Sequence, residues 1–338
     1  MNGQDSPKSI LGIGNALTDI LAILPDDTLL EQFNLPKGSM QHVDAEAGNK
    51  IWDAIKDRGI KYVAGGSAAN TISAAAIFGM KAGFIGKVGK DDIGSLFKSD
   101  QVQDGINSMV LRGKAPSGRA IVLICEPNYE RTFATYLGAA LELEPEDLDP
   151  AQFDGYDYLH IEGYLVQNQR LFRRAVEIGR EKGMIISVDL ASYNIVESNS
   201  AFLHDIVENY VDIVFANEME ARAFTRKEPK EAIAEIAGMC GIAVVKIGEN
   251  GSLVRSGGEL YRIAPYKVKA TDATGAGDLY AAGFLYAHSM GMPLDICGKV
   301  GSLISSKVVE VIGTKIDVPR WKEAKKEIRG IMGISEQD

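Results

Sequence analysis

The feature that most constrains the fold is a regular alternation of short apolar runs and helix-like segments after about residue 156. The apolar runs predict strands at about 158–161, 185–189, 212–216 and 243–247. The segments between them predict helices at about 168–182, 200–210, 218–225 and 229–240. Short β-branched runs separated by helices of this length are typical of a parallel sheet covered on both faces. The pattern therefore predicts an α/β fold with a central, mostly parallel sheet.

Two earlier stretches interrupt this alternation with strand character, at about 16–43 and 106–138. In the first, short apolar runs alternate with Pro25, Pro36 and Gly38, which predicts strands and turns rather than helix. Both stretches lie close in the sequence to turns suited to a ligand, so we expect them to form a small β-sheet that acts as a lid. Residues 1–338 are predicted to form one domain that carries this lid.

Composition narrows the class of function. A formal net charge of −10 argues against general nucleic-acid binding, which needs a positive surface. No apolar run approaches the roughly 20 residues of a membrane span, and the N-terminus lacks the layout of a secretory signal. The cysteines, Cys125, Cys240 and Cys297, stand far apart among apolar neighbours, which predicts buried free thiols in a reducing compartment. The histidines show no metal-ligand spacing. We expect a cytoplasmic enzyme or binding protein.

A glycine-rich turn at residues 274–277 runs into a small and apolar segment without proline, which predicts a buried helix from about Ala276. The first turn of such a helix has backbone N–H groups without partners, and glycine lets a ligand approach them closely, so the turn is suited to an anion. Asp278 stands inside this first turn. It either deprotonates a hydroxyl group beside a bound phosphate or only stabilises the helix dipole, and this stretch alone does not distinguish the two.

Polar residues suited to an acceptor follow the first predicted strands. Asn15 and Asp19 come at the carboxyl end of a strand, where open α/β sheets hold ligands, and are suited to sugar hydroxyls. Alternatively, Asn15 closes a turn and Asp19 faces water. Gly65-Gly66 forms a second turn that a ligand can approach, with Asn70 within reach of it. In the alternative interpretation of this turn, Ser67 is only a helix N-cap.

Other polar residues point to a nucleotide and its metal. Asn217 and Glu220 offer the hard oxygen atoms that suit Mg²⁺ or its waters, although the same spacing is that of a helix cap. The segment 246–251 is suited to pass beneath a nucleotide, or it is only a hairpin turn. Arg131 on the predicted lid is positioned to reach a phosphate, or it is an exposed strand cation.

Taken in order, these features resemble the ribokinase, or PfkB, family of carbohydrate and nucleoside kinases, from Gly12 to about Gly313. Asp272-Ala-Thr-Gly-Ala-Gly-Asp278 is similar to the family's D-T-x-G-A-G-D signature, and Gly65-Gly66-x-x-x-Asn70 is similar to its second motif. Residues 14–20, 64–67 and 160–164 look most like the adenosine-kinase branch or its bacterial sugar-kinase neighbours. The resemblance implies a ribokinase-like fold and an ATP-dependent kinase.

The resemblance also implies a role for each motif. Asp278 would be the general base that activates a hydroxyl of a sugar or nucleoside, Gly275, Ala276 and Gly277 would form an anion hole, and Arg131 would approach the phosphates. The further implied roles are acceptor binding by Asn15, Asp19, Gly65, Gly66 and Asn70, nucleotide binding by Lys246, Gly248, Gly251, Thr274, Gly275 and Gly277, Mg²⁺ binding through water by Asn217 and Glu220, and binding of a monovalent cation such as K⁺ by Asp272 and Thr274.

One position departs from the family pattern, because Ala273 stands where Thr or Ser is usual. This removes a hydroxyl group and leaves the details of nucleotide and cation binding open. It does not affect the implied role of Asp278 as the base. The acceptor is open between adenosine and a simple sugar, with Tyr136, Tyr164 and Tyr193 as candidate platforms for a base. The oligomeric state is open between a monomer and a homodimer formed through the lids.

Two other classes of function compete with a kinase. A non-catalytic sugar- or nucleoside-binding relative is disfavoured because Asp278 and the glycines around it are intact. A nicotinamide oxidoreductase is disfavoured because Gly12-x-Gly14 is followed by Leu17 where the dinucleotide fingerprint needs a third glycine.

Overall fold

The computed structural model describes residues 6–126 and 130–334. Its strands are β1 (Ile10–Ile13), β2 (Leu17–Leu24), β3 (Met40–His42), β4 (Lys61–Gly65), β5 (Ala82–Val88), β6 (Asn107–Arg112), β7 (Gly118–Cys125), β8 (Glu130–Tyr136), β9 (Tyr158–Glu162), β10 (Ile185–Asp189), β11 (Ile213–Asn217), β12 (Ile242–Lys246), β13 (Ser252–Ser256) and β14 (Glu259–Ile263). Its helices are α1 (Thr28–Gln32), α2 (Ala45–Ile55), α3 (Ser67–Phe78), α4 (Asp92–Gln103), α5 (Gln169–Glu181), α6 (Tyr193–Ser198), α7 (Ser200–Tyr210), α8 (Glu218–Thr225), α9 (Pro229–Met239), α10 (Ala276–Ser289), α11 (Leu294–Val308) and α12 (Val318–Met332).

A nine-stranded sheet forms the body of the protein, in the order β14-β13-β12-β11-β10-β9-β1-β5-β6. The strands from β12 to β6 run parallel, and β13 and β14 extend one edge in antiparallel pairing. Parallel pairing brings the carboxyl ends of β1, β9, β10, β11 and β12 to a single edge of the sheet. The predicted α/β fold with a mostly parallel sheet is confirmed.

Both faces of this sheet are buried, because alternate residues of a strand point to opposite sides. On β11, Val214 and Ala216 pack into a core with residues of α5, α7, α8 and α9. Ile213 and Phe215 of the same strand pack into a second core with residues of α3, α10 and α11. The apolar runs of the sequence are therefore uninterrupted rather than alternating, as a sheet with helices on both faces requires.

A separate five-stranded sheet, the small sheet, has the order β3-β8-β7-β2-β4. One of its faces packs against α1 and α2, through residues such as Ile20, Leu123 and Ile55.

Two expectations need correction. Residues 107–112 were predicted to belong to the small sheet, but they pair with β5 at the edge of the large sheet. Residues 28–32, expected as strand or turn, form a helix that buries Leu30.

Two simpler expectations can also be compared with the structure. Cys125, Cys240 and Cys297 are buried free thiols. Across residues 6–126 and 130–334, no helix combines the length and the apolar character needed to cross a bilayer.

Candidate active site

A cleft of about 1200 Å³ lies between the carboxyl edge of the large sheet and the small sheet. Residues predicted for the site line it as a group, namely Asn15, Asp19, Gly66, Asn70, Arg131, Asn217, Glu220, Lys246, Gly248, Gly251, Asp272, Thr274, Gly275, Ala276, Gly277 and Asp278. The structure describes every residue of the predicted set, and of these only Gly65 does not line the cleft. Gly65 instead packs against the carboxyl group of Asp19. The chain thus brings residues from six separated segments to one cleft.

Helix α10 begins at this cleft, and Gly275 precedes it with a φ of 75°, a conformation that favours glycine. The first helical hydrogen bond runs from the N–H of Leu279 to the carbonyl of Gly275, so the N–H groups of Gly277 and Asp278 have no helical carbonyl to bond. The N–H of Ala276 instead closes the turn onto the carbonyl of Ala273. The start of α10 therefore presents backbone donors to the cleft.

The carboxylate of Asp278 faces the same cleft and is held at both oxygens by α3. Its Oδ1 accepts a hydrogen bond from Ser67 Oγ at 2.7 Å, and its Oδ2 accepts one from Asn70 Nδ2 at 2.8 Å. Burial raises the pKa of Asp278 to about 6, although these two hydrogen bonds oppose the shift. Asp278 is therefore a fixed carboxylate with a raised proton affinity, and not a solvated acid at a helix end.

Asp272 lies on the other side of the glycine turn and is fully bonded. Its Oδ1 accepts from the N–H and the hydroxyl of Thr274, at 3.0 and 2.8 Å. Its Oδ2 accepts from the N–H of Gly313 at 2.8 Å and forms a buried ion pair with Arg131 of β8. The guanidinium group of Arg131 already neutralises this carboxylate. The surroundings of Asp272 therefore do not fit a monovalent cation in addition to the arginine. Arg131, which was expected near the phosphates, is ion-paired with Asp272 in this structure.

Asp19 extends from β2 into the cleft, next to Arg131 and Asp278. Burial, and then the nearby charge of Asp278, raise the pKa of Asp19 to about 7. A Cβ added to Gly65 would lie 2.7 Å from the Asp19 carboxyl group, so glycine at this position leaves the space that Asp19 uses. An acidic side chain with its oxygens toward a cleft is suited to accept hydrogen bonds from hydroxyl groups.

Asn15, at the end of the first strand, is held by a buried carboxylate that sequence reasoning did not identify. Glu162, at the end of β9, accepts hydrogen bonds at Oε1 from the N–H and Nδ2 of Asn15, at 2.9 and 2.7 Å. Its Oε2 accepts from the N–H of Ala68 at 2.8 Å. Burial raises the pKa of Glu162 to about 7. This one side chain therefore joins β1, β9 and the start of α3.

Asn217 and Glu220 form a capping box at the start of α8. The Asn217 side chain accepts from the N–H of Glu220 at 2.9 Å, and Glu220 accepts from the N–H of Asn217 at 2.7 Å. Burial and then Asp189 raise the pKa of Glu220 to about 7. Within the part of the chain that the structure describes, no group of three or more Asp, Glu, His or Cys side chains has the geometry of a metal site.

Lys246 and Asp189 form an ion pair at the floor of the cleft, with 2.8 Å between Nζ and Oδ2. Lys246 ends β12 and Asp189 ends β10, so the lysine side chain reaches across β11. Burial lowers the pKa of Lys246, but Asp189 and Glu220 outweigh this effect and raise it. Lys246 is therefore a charged ammonium group in a largely buried position.

The side of the cleft formed by the small sheet is mostly apolar. Its apolar wall consists of side chains on or next to the small sheet, namely Leu17, Met40, Ala120, Phe133 and Leu137. Of the tyrosines considered as platforms for a base, Tyr164 lines the cleft. Tyr136 instead lies against Arg119, whose Cζ is 5.7 Å from the centre of the tyrosine ring, and Tyr193 is exposed and does not line the cleft.

Sequence reasoning missed Glu162 and Asp189, and it gave Ser67 only the role of a helix cap. A usable signal existed for the first two, because each is an acidic residue that ends a mostly apolar strand. An acidic residue buried at the carboxyl end of a parallel strand faces the edge where ligands bind. No comparable signal marks Ser67, whose partner Asp278 is 211 residues away in the sequence.

Comparison with known proteins adds independent information. Residues 41–321 match the family described as pfkB family carbohydrate kinase. A probable sugar kinase from Rhizobium etli CFN 42 has a similar structure, with a TM-score of 0.86 and 31% identity over 96% of this chain and 99% of that one. Adenosine kinase from Sinorhizobium meliloti has a TM-score of 0.85 and 32% identity over 95% of this chain and 100% of its own. An adenosine kinase from Schizophyllum commune is 25% identical over 93% of this chain and 98% of the relative.

Proposed function

This chain belongs to the pfkB family of carbohydrate kinases and is a sugar or nucleoside kinase with a ribokinase-like fold, and from that premise we propose how its site works. The family uses ATP as the phosphoryl donor, usually with Mg²⁺. Asp278 is the general base that takes the proton from the acceptor hydroxyl group as the γ-phosphoryl group is transferred to it. The acceptor is a nucleoside.

One observation carries the assignment of the base. The Asp278 carboxylate is fixed by Ser67 and Asn70 at the start of α10, a helix whose first N–H groups face the same cleft. An ordinary carboxylate suffices for phosphoryl transfer if it lies within hydrogen-bond reach of the hydroxyl group, because the transition state is loose. When an acceptor hydroxyl binds, it takes a place beside these two donors, and the proton passes to Asp278.

The phosphoryl group is held by backbone donors of the glycine turn. Gly275 and Gly277 let the backbone approach it closely, and the N–H groups at the start of α10 supply hydrogen bonds aimed at the developing negative charge. Arg131 contributes from the lid, since its Nη2 is buried and lacks a hydrogen-bond partner among the described residues. Thr274, Lys246, Gly248 and Gly251 border the nucleotide side of the same turn.

The acidic floor of the cleft fits Mg²⁺ bound through water molecules. Asp189, Glu220 and Asp278 face one ammonium group there, so an added cation would relieve their mutual repulsion. Asn217 and Glu220 already bond each other, which favours contact with the waters of the ion rather than with the ion itself. The ion would neutralise charge on the phosphates.

The shape of the acceptor side supports a nucleoside rather than a simple sugar. Asn15, Asp19 and Asn70 are suited to ribose hydroxyls, and the apolar wall continues beyond them. A simple sugar would leave that wall facing water, whereas a nucleobase would cover it and remove apolar surface from solvent. Tyr164 on the body side of the cleft borders the same space.

The test is consumption of ATP in the presence of Mg²⁺ with adenosine, inosine, ribose, fructose or 2-keto-3-deoxygluconate as acceptor. We expect a nucleoside to stimulate turnover, and we expect Asp278→Asn to lower kcat by roughly 10²–10⁴-fold, the usual contribution of general base catalysis. Asp92→Asn is the matched control, because Asp92 is an exposed acid in the first turn of α4, outside the cleft.

Two results would contradict the proposal. Turnover by Asp278→Asn within a fewfold of wild type would exclude the assigned base. A protein that consumes no ATP with any acceptor, but is stabilised against unfolding by one of them, would be a binding protein instead.

A further inference from the structure

We propose that Lys246 is a catalytic residue whose ammonium group contacts the phosphoryl group in transfer, and that Asp189 is the positioning residue that holds it there. This inference rests on the proposed kinase function, but it assigns a different source of catalysis from the base and the backbone donors.

The first support is the position of the ammonium group. Lys246 Nζ lies against the backbone of Gly277, since a Cβ added to that glycine would be 2.9 Å from it. Gly277 is one of the residues whose N–H group has no helical partner at the start of α10. A fixed positive charge therefore lies beside the turn that holds the anion and lines the same cleft, on its body side.

The second support is how the ammonium group is held. The Lys246 side chain is only 16% exposed and that of Asp189 only 8%, and 2.8 Å separates Nζ from Oδ2. A lysine side chain is flexible, so it needs a partner to keep its charge at one place. Asp189 provides that partner from β10, two strands away in the sheet.

The third support is the distribution of charge around the turn. Arg131, on the lid, is bonded to Asp272, and Lys267, another cation lining the cleft, is exposed. Among the described residues that line the cleft, Lys246 is thus the cation built into its floor. A transferring phosphoryl group gathers negative charge on its oxygens, and a preorganised cation beside it in a poorly solvated site is an effective stabiliser.

The alternative is that the pair only joins β10 to β12. A buried ion pair of that kind contributes little net stability, although removal of one partner is costly. The two interpretations differ in what restores activity. A structural pair would be replaced by any side chain that fits, whereas a catalytic ammonium group requires a positive charge at the same place.

The experiment uses full-length Lys246→Cys, assayed before and after alkylation with 2-bromoethylamine. Alkylation forms a bond between the sulfur of the introduced thiol and the ethylamine carbon, with loss of bromide and a proton, and it rebuilds a side chain of lysine length that ends in an ammonium group. The native cysteines are all buried, and wild type treated in the same way is the control for their modification. Lys246→Met, similar in length and uncharged, is compared in parallel.

We expect Lys246→Cys and Lys246→Met to lower kcat by about 100-fold or more, the size of effect seen when one transition-state donor is removed. The KM for the acceptor should change little. Alkylation of the cysteine variant should restore at least about one tenth of the wild-type kcat. Because the comparison is made on one protein preparation before and after alkylation, a difference in folding between variants does not decide it.

Asp189 is tested by its effect on kcat alone. Asp189→Asn should lower kcat by about 10-fold with the acceptor KM unchanged, and Asp189→Glu should recover part of the loss. The double variant Asp189→Asn with Lys246→Met should be no slower than Lys246→Met, because Asp189 acts through the lysine.

Kinase activity of wild type together with a kcat of Lys246→Met within about threefold of it would overturn this inference and leave the proposed function intact. A cysteine variant that stays inactive after complete alkylation would also overturn it. Absence of phosphoryl transfer by wild type to every acceptor would instead overturn the proposed function, and this inference with it.

Discussion

The two sheets that form the cleft contribute to it in different ways. The large sheet ends there in polar and charged side chains that are bonded to one another before any ligand arrives, among them Asn15 with Glu162 and Lys246 with Asp189. The small sheet contributes Leu17, Met40, Ala120, Phe133 and, just beyond β8, Leu137, together with the charged groups Asp19 and Arg131. One side of the cleft is a rigid polar network, and the other is mostly apolar surface.

This difference separates two tasks. Phosphoryl transfer needs charges that do not move during the reaction, and these come from the ends of buried parallel strands and the start of α10. Selection of an acceptor needs a surface that fits its shape, and apolar side chains on a separate small sheet can change without disturbing the charges. We expect substitutions in the large sheet to change kcat and substitutions in the small sheet to change KM.

The largest effect should come from Gly277→Ala, which tests the rigid side. The added Cβ would lie 2.9 Å from Lys246 Nζ, so the lysine must move away from the turn that binds the phosphate. We expect kcat to fall by about 100-fold, as for loss of a transition-state donor, with little change in melting temperature. Gly330→Ala in α12 is the control, because an added Cβ there contacts nothing within 4 Å. Equal kcat in both variants would show that the turn tolerates a displaced lysine.

Arg131→Gln should have the next largest effect, because Arg131 is the charged link between the two sides. The substitution removes the positive charge that neutralises Asp272 and leaves a buried carboxylate without an ionic partner. We expect kcat/KM to fall by about 30-fold, somewhat below the roughly 10²–10³-fold scale for one transition-state donor. Wild type should be equally active in KCl and in tetramethylammonium chloride at the same ionic strength, whereas the variant should become stimulated by K⁺. A wild type that requires K⁺ would contradict this account of Asp272.

Phe133→Ala tests the apolar wall. A nucleobase that packs on the Phe133 ring loses that contact, so the acceptor KM should rise by about 10-fold, equivalent to the ~1–2 kcal/mol of an aromatic contact. The kcat should stay near that of wild type. Steady-state kinetics with the nucleoside and with ribose distinguish the mechanisms, because ribose does not reach the wall and its KM should not change. A fall in kcat alone would place Phe133 in the catalytic machinery instead.

The smallest effect should be a shift in pH dependence caused by Ser67→Ala. Asp278 must be ionised to act as a base, so with a pKa of about 6 wild type should lose kcat/KM as the pH falls below about 6. The Ser67 hydroxyl bonds the ionised form and lowers that pKa, so its removal raises the pKa further and moves the acid limb to higher pH. Ser73→Ala on the same helix, which loses a bond to Asp104 instead, is the control. An unmoved limb would mean that another group controls it.

Much of this fold was accessible from the sequence, because the strands of a parallel sheet are apolar on both faces and their helices have regular spacing. Predicted strand 185–189 and predicted helices 200–210 and 218–225 coincide with β10, α7 and α8. The pairing of β6 was not accessible. Residues 107–112 lie between the two sheets in the sequence, and local strand preference carries no information about which sheet offers a partner edge.

The site was predicted as a set of residues but not as a network. Sequence motifs identified Asp278, Asn70 and Lys246 separately. The bonds of Asp278 to Ser67 and Asn70, and of Lys246 to Asp189, depend on how distant segments meet. The roles of the individual residues stay predictions until the kinetic tests are made. The pairing of Arg131 with Asp272 could not be inferred either, because a lid cation has more than one acidic partner within reach of a flexible side chain.

The bonds from Asp278 to α3 also have a consequence for how the protein is made. Its partners Ser67 and Asn70 precede it by 211 and 208 residues. The acceptor side of the cleft therefore cannot be completed until a residue synthesised much later has been added. While the ribosome is still extending the chain toward α10, the residues of α3 that pack against that helix, such as Ala74 and Phe78, are not yet covered by it. Any nascent chain that stops before α10 therefore presents an apolar helix face to chaperones and proteases, and quality control in the cell can recognise the incomplete kinase by that face.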